Sequence, residues 1–176
     1  MTGTDPSETP LRSWVQTRLE SIYAFAQQPE EYFRDFVNTT FSENAIIRHN
    51  HELVSKEEFL QRLIVGNFAC LHASVNLWGS QVVEIPAGGD SEGGIIAGFF
   101  EVTRSLKYRI RAGPAQRESH NIFSSKVEDL GKEESGDRKL RISEFFVTSV
   151  NKAVPVHLQN LPGSIDSNLP EKTSGV

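Results

Sequence analysis

The segment SKEEFLQRLIVGNFACLHASVNLWGSQVVEI, residues 55–85, contains a change of hydrophobic period from that of a helix to that of a strand. In its first part apolar residues recur every three to four positions, which is the spacing of an amphipathic helix, and Ser55 with Glu58 forms a capping-box signal at the helix start. From Cys70 onward apolar and polar residues alternate, and β-branched and aromatic residues replace helix formers, as is typical of strands. The sequence therefore predicts a helix over about 55–65 that is followed by sheet.

Two further helices and a short strand are predicted before this segment. Residues 11–26 carry apolar side chains at helical spacing, directly after Pro10, and proline is favoured at the first helical position. Pro29 can open a second helix, and two glutamates follow it, which suits the positive end of the helix dipole. Residues 45–49 are typical of a brief strand.

Four long strands are predicted in the second half of the chain, at about 70–85, 94–111, 118–130 and 138–150. Their connections are too short for helical crossovers, so the strands are expected to pair antiparallel. The order of elements predicts an α+β fold in which three N-terminal helices pack on a strongly curved, mainly antiparallel sheet. We expect one domain over residues 10–156, with flexible tails at 1–9 and 157–176.

Composition narrows the class of protein. The chain has 176 residues with 38% hydrophobic and 23% charged side chains, which is typical of a single globular domain. A net charge of −5 argues against a nucleic-acid partner. Cys70 is the single cysteine and cannot form an internal disulfide, the N-terminal residues lack the pattern of a signal peptide, and no apolar run is long enough for a membrane helix. These features predict a cytoplasmic protein with no membrane association.

Three stretches of the chain resemble the nuclear-transport-factor-2-like superfamily, and within it the SnoaL-like group. They are FSENAIIRHN at residues 41–50, SKEEFL at residues 55–60 and HASVNLWGSQVVEI at residues 72–85. The resemblance covers roughly residues 11–150 and implies a cone-shaped domain with a mostly apolar pocket. The superfamily includes enzymes, transport adaptors, accessory subunits of dioxygenases and protein-association domains, so the fold alone does not fix the function.

The resemblance implies a cofactor-independent isomerase, cyclase or lyase that moves protons within a small, largely apolar organic molecule. The alternative is a non-catalytic domain that binds a small molecule or associates with another protein. The resemblance thus implies that no cofactor is needed. The glycine-rich stretch 88–94 lacks both a P-loop lysine and the dinucleotide-binding pattern and is expected to be a hairpin tip. A homodimer is expected, because a sheet covered by helices on one face still carries apolar residues such as Phe99 or Phe100 on the other.

Glu144 is the first candidate for catalysis. It interrupts an apolar row on the predicted fourth long strand, between Ile142 and Phe146. If this row faces the pocket, burial would raise the pKa of the carboxyl and make it a general acid or base. With the opposite parity, Glu144 would lie outside, paired with Arg104 or Lys107.

Three histidines are the other catalytic candidates: His49, His72 and His120. His49 aligns with the position where some steroid-isomerase-like relatives carry a catalytic carboxylate, and imidazole titrates near neutral pH. His49 and His51 could also face one metal ion from alternate strand positions, but no third ligand follows from the sequence, so no metal site is predicted.

The candidates for substrate orientation are Tyr23, Tyr32, Asn76 and Trp78. Asn76 and Trp78 share one polar face of the first long strand with His72. That face is predicted to be either a wall of the pocket or the outer, dimer-forming face of the sheet.

Overall fold

The computed structural model describes residues 10–26, 28–77, 82–89, 92–110, 113–132 and 138–153. The elements in chain order are α1 (Pro10–Tyr23), α2 (Glu30–Thr40), β1 (Phe41–His49), β2 (Glu52–Val54), α3 (Lys56–Gly66), β3 (Cys70–Leu77), β4 (Val83–Pro86), β5 (Gly94–Ile110), β6 (Gly113–Lys132) and β7 (Arg138–Ala153). The predicted tails at 1–9 and 157–176 lie outside the described residues, and so does Trp78.

The three predicted helices are confirmed. Helix α3 begins after Ser55, whose hydroxyl accepts a hydrogen bond from the backbone N–H of Glu58 at 3.1 Å. This bond satisfies one of the amides that the first helical turn leaves without a partner. Helix α2 begins directly after Pro29, with two glutamates in its first turn.

The described strands form one curved sheet in the order β2-β1-β7-β6-β5-β3, and β4 also pairs with β5. All described pairs are antiparallel except β1 with β7, which run parallel. The predicted antiparallel sheet is thus confirmed. The prediction of one strand over 70–85 is wrong, because that stretch supplies two separate strands, β3 and β4, which both pair with β5.

Helices α1, α2 and α3 cover one face of the sheet, which we call the inner face. Phe100, Phe123 and Phe145 of neighbouring strands lie on it and are fully buried. Phe41 and Phe59 join them, with edge-to-face ring contacts at centroid distances of 5.8 to 5.9 Å. Burial of these rings removes a large apolar area from water, which stabilises the packing of helices on sheet.

The opposite face of the sheet, which we call the outer face, carries the residues that alternate along each strand with those of the inner face. Phe99, Ile122 and Thr148 are aligned there on β5, β6 and β7. Several apolar side chains of this face remain exposed, and Ile122 is 63% accessible.

A β-bulge in β7 reverses the alternation of that strand. Lys126 pairs with Glu144 and Val127 with Ile142, so Ser143 is an extra residue. Because of it, Ile142 and Phe145 both face inward and Glu144 faces outward.

Among the helices that the structure describes, none is long and apolar enough to cross a membrane.

Candidate functional site

A cavity of about 160 Å³ lies on the inner face, between the sheet and helices α1 and α3. Its apolar wall consists of Tyr23, Phe59 and Leu63. The remaining side chains of its wall are polar or charged: His49, Asn50, Arg62, Arg104, Arg117, Ser119, Asn121, Ser149 and Asn151. The cavity is therefore more polar than the mostly apolar pocket that the family resemblance implies.

Strand pairing brings the polar wall together. Arg117, Ser119 and Asn121 alternate along β6, so all three point to the inner face. Arg104 is the partner of Arg117 on β5, and Asn151 is the partner of Ser119 on β7. These residues are far apart in sequence, and the antiparallel register places them in adjacent rows.

Arg104 is buried, with 6% of its surface accessible. Its Nε donates to Oδ1 of Asn67 at 2.8 Å, and one terminal nitrogen donates to Oγ of Ser119 at 3.2 Å. Burial lowers the pKa of Arg104, an effect that nearby Cys70 and Tyr23 oppose. Among the described residues no carboxylate forms an ion pair with this guanidinium, so the positive charge is held by neutral groups only.

Asn121 lies beside Arg104 and is almost fully buried. Its Nδ2 lies 3.1 Å from the backbone oxygen of Ser119, and 3.4 Å from both the backbone oxygen of Phe100 and Oγ of Ser119. Within the described part of the chain its Oδ1 accepts no hydrogen bond. An unpaired acceptor at this depth is costly unless a ligand or water supplies a donor.

Of the predicted orienting residues that the structure describes, Tyr23 alone reaches this cavity. It is the last residue of α1, and its ring packs edge-on against Phe100 with a centroid distance of 4.8 Å. Burial strongly raises the pKa of the phenol, while the positive charge of Arg104 opposes this shift. The hydroxyl therefore stays protonated at neutral pH and is available as a hydrogen-bond donor.

His49 is the one predicted catalytic residue on the cavity wall. It ends β1, and the tight turn after it contains Asn50 and His51, both with positive φ, as two-residue hairpins favour. Oδ1 of Asn50 accepts from the backbone N–H of Ser149 at 2.8 Å, which fixes the turn against β7. His51 is exposed in the turn and is not among the residues that line the cavity.

The ring of His49 contacts the guanidinium of Arg62, whose terminal nitrogen lies 3.1 Å from Nδ1. Arginine has no lone pair to offer, so Nδ1 accepts and the proton of the neutral ring is on Nε2. Burial lowers the pKa of His49, Arg62 lowers it further, and Glu52 opposes both. At neutral pH His49 is therefore a neutral hydrogen-bond donor.

The structure does not bring the other sequence-predicted residues to this cavity. His72 and Asn76 lie exposed on the outer face, because their partners on β5 are Ser105 and Glu101. His120 also lies on the outer face, with Nδ1 3.1 Å from Oε1 of Glu101. The outer face is one of the two positions predicted for His72 and Asn76. The expected catalytic position of His72 and His120 on the pocket wall is wrong, because other, alternate residues of β3 and β6 face inward.

Two further expectations are corrected. Glu144 lies on the outer face, where its Oε1 accepts from Nζ of Lys126 at 3.2 Å, so the expected partners Arg104 and Lys107 are also wrong. The physical reason is the bulge at Ser143, which the regular alternation of the sequence does not reveal. Tyr32 is 60% exposed on α2 and borders a separate opening between α1 and α2.

Sequence reasoning missed Arg104, Ser119 and Asn121. Their signal was present, because Arg104 shares the parity of Phe100 and the other two share the parity of Phe123. Polar residues in a row that otherwise faces the core indicate a cavity. Among the described residues, no group of three or more His, Cys, Asp or Glu side chains is arranged to hold a metal ion.

Comparison with known proteins identifies the fold. No family model matches the chain, and no curated protein matches it. Mtr2 from Candida albicans is 14% identical, with a TM-score of 0.56 over 86% of this chain and 99% of that chain; in its complex with the Mex67 M domain the TM-score is 0.55, over 87% and 99%.

Two bacterial structures are more distant. An NTF2-like protein from Exiguobacterium is 13% identical, with a TM-score of 0.42 over 79% of this chain and 98% of that chain. A SnoaL-like isomerase family protein from Agrobacterium tumefaciens is 10% identical, with a TM-score of 0.42 over 81% and 99%. Identities this low bear on the fold alone. The chain therefore has the same fold as Mtr2.

Proposed function

We propose that the protein binds a small organic molecule in the inner-face cavity. The observation that carries this proposal is the buried, unsatisfied Oδ1 of Asn121 on the cavity wall, beside the buried charge of Arg104. A folded interior rarely retains such groups without a partner. A ligand with matching polar atoms would supply one, and Tyr23, Phe59 and Leu63 would contact its apolar part.

The wall of the cavity suits binding better than proton abstraction. Of the wall residues that the structure describes, none is an aspartate or glutamate. His49 offers a donor through Nε2 because Arg62 occupies its other nitrogen, and the phenol of Tyr23 is protonated. The available groups are thus mainly hydrogen-bond donors, which hold a ligand but do not remove its protons.

A screen of small organic molecules by NMR with ¹⁵N-labelled protein tests this proposal. Ligands are expected to shift the amide signals of Ser119, Asn121 and Ser149, and Asn121→Leu is expected to weaken binding at least tenfold by removing the polar wall. Asn76→Leu is the matched control, because it makes the same substitution on the outer face. A second variant, Ser149→Phe, fills the cavity without altering Asn121. Ligands that bind all three variants as tightly as the wild type would contradict the proposal.

The second candidate function is proton transfer as an isomerase, cyclase or lyase. The lowered pKa of His49 favours it, since a neutral imidazole on the wall can polarise a carbonyl group and return a proton. The test is exchange of ligand C–H protons with D₂O, followed by NMR for each ligand that the screen finds. Exchange that is lost in His49→Gln, with binding retained, supports catalysis. Binding without exchange in the wild type contradicts it.

For assembly, we propose that the outer face binds a second copy of the chain. Ile122, Phe146 and Val150 lie on this face and are exposed, and exposed apolar side chains of this kind favour association. A neighbour with this fold, Mtr2, has a structure in complex with the Mex67 M domain. Light scattering should give twice the chain mass of 19.7 kDa. A stable mass of one chain at micromolar concentration would contradict a homodimer.

A further inference from the structure

We propose that the ligand of the inner-face cavity is a small carboxylic acid that carries a hydroxyl group near the carboxylate. This inference rests on the proposed binding function and names the class of ligand. The carboxylate would bind Arg104, and the hydroxyl group would donate to Oδ1 of Asn121.

The charge of the cavity requires an anion. Arg104 is buried, and its described partners, Asn67 and Ser119, are both neutral. Among the described residues no acceptor occupies its second terminal nitrogen. Arg117 adds a second positive charge to the same wall, whereas the charge of Arg62 is compensated by Glu52 and Glu58. A buried charge that lacks a counter-ion costs several kcal/mol, and a carboxylate of the ligand would compensate it with planar, charge-assisted hydrogen bonds.

The hydrogen-bonding pattern of Asn121 requires a donor as well. Its Nδ2 points at two backbone oxygens, which fixes Oδ1 as the free atom of the amide. A carboxylate can only accept hydrogen bonds, so it cannot satisfy this oxygen. A hydroxyl group can, because it is both donor and acceptor.

Ser119 sets the distance between the two parts of the ligand. Its Oγ lies 3.2 Å from a terminal nitrogen of Arg104 and 3.4 Å from Nδ2 of Asn121. The anion site at Arg104 and the hydroxyl site at Asn121 are therefore neighbours, because both residues contact Ser119. Since Oγ already faces two donors, its own proton is free to donate to the ligand. This geometry points to a 2-hydroxy or 3-hydroxy acid with an apolar substituent that lies against Phe59 and Leu63.

Three matched probes separate the two requirements in the wild-type protein. Mandelate has the carboxylate and the hydroxyl group, phenylacetate lacks the hydroxyl group, and 1-phenyl-1,2-ethanediol lacks the charge. NMR titration is expected to give a dissociation constant for mandelate at least tenfold lower than for either of the other two. Because this comparison needs no variant, it does not depend on whether a substitution at Arg104 folds.

Two variants assign the requirements to residues. Arg104→Gln is expected to weaken the binding of mandelate until its dissociation constant equals that of the diol. The dissociation constant of the diol itself should not change. Asn121→Leu is expected to weaken the binding of mandelate until its dissociation constant equals that of phenylacetate. Arg34→Gln, which removes an arginine of α2 that forms ion pairs with Glu30 and Glu57, is the control for loss of charge alone.

The outcomes distinguish this inference from the proposed function. If the three probes bind equally and Arg104→Gln changes none of them, the cavity binds small molecules but the hydroxy-acid inference is wrong. If no probe shifts the amide signals of Ser119, Asn121 or Ser149, the hydroxy-acid inference is wrong, while the proposed binding function is decided separately by the ligand screen with Asn121→Leu and Ser149→Phe.

Discussion

A terminal nitrogen of Arg62 lies 3.1 Å from Nδ1 of His49, and its other terminal nitrogen lies 2.7 Å from carboxylate oxygens of both Glu52 and Glu58. This contact joins α3 to the end of β1 at the mouth of the cavity. It determines which nitrogen of His49 carries the proton, and the positive charge disfavours the imidazolium form.

Arg62→Met is expected to raise the pKa of His49, because it removes the nearby positive charge and leaves Glu52 in place. Burial still acts on the ring, so the pKa should remain below that of an exposed histidine. NMR titration of the imidazole signals measures the shift. Arg34→Met is the matched control, since Arg34 also binds two glutamates but does not contact His49. A pKa of His49 that is unchanged in Arg62→Met would refute the assigned contact.

His49 should make stability depend on pH. Its pKa in the folded state lies below the ordinary value of 6.5, so the unfolded state binds more protons as the pH falls through this interval. The free energy of unfolding is therefore expected to decrease from about pH 6.5 toward the folded pKa, and less so in His49→Gln. Urea denaturation at pH 7.5 and 5.0 measures the difference, with His51→Asn, an exposed neighbour, as control. Equal pH dependence in wild type and His49→Gln would contradict this.

Glu144→Gln and Phe145→Ala should have very different effects on the free energy of unfolding, although the two residues are adjacent in sequence. Glu144 is 35% exposed and forms an outer-face ion pair with Lys126, and such pairs contribute about 0–1 kcal/mol. Phe145 is fully buried, so truncating it is expected to cost about 3–5 kcal/mol. Chemical denaturation measures the free energy of unfolding of both variants. A loss above about 2 kcal/mol in Glu144→Gln, well beyond the range for an exposed pair, would argue against the outward orientation at the bulge.

Ile122→Lys is expected to convert the proposed homodimer to monomer, because a charge would be buried in an apolar interface. Val65→Lys is the control, since Val65 is 70% exposed on α3, away from the outer face. Light scattering should report the mass of one chain for Ile122→Lys and of two chains for Val65→Lys. If Ile122→Lys keeps the dimer mass, the outer face is not the contact.

Ser55→Ala is expected to lower the free energy of unfolding by about 1 kcal/mol, the usual effect of removing an N-cap side chain. Ser21→Ala is the control: its hydroxyl is exposed in α1 and donates to the backbone oxygen of Thr17, so its loss should change stability little. Urea denaturation measures the free energy of unfolding of both variants. An unchanged value in Ser55→Ala would show that the cap does not stabilise α3.

Local sequence patterns were sufficient to predict the helices and the class of sheet. The capping box at Ser55 and Glu58 and the helical spacing before it are local signals, and each depends on residues within one or two turns. The alternation after Cys70 is also local, and it predicted the antiparallel strands and an outer face with exposed apolar residues. Phe99 and Phe100 were correctly expected on opposite faces, but the alternation alone could not say which of them is buried.

The residues that form the cavity follow from strand pairing, which local patterns do not specify. The extra residue at Ser143 reverses the parity of β7, and a bulge depends on pairing with β6, which no local pattern encodes. For the same reason Glu144 lies outside, while Arg104, Ser119 and Asn121 meet across β5 and β6. His49 and Tyr23 were found from sequence, but the donor role of His49 follows from Arg62, thirteen residues away, which the tertiary fold brings within hydrogen-bond distance. Local periodicity fixes the elements, whereas the register between strands fixes the chemistry of the site.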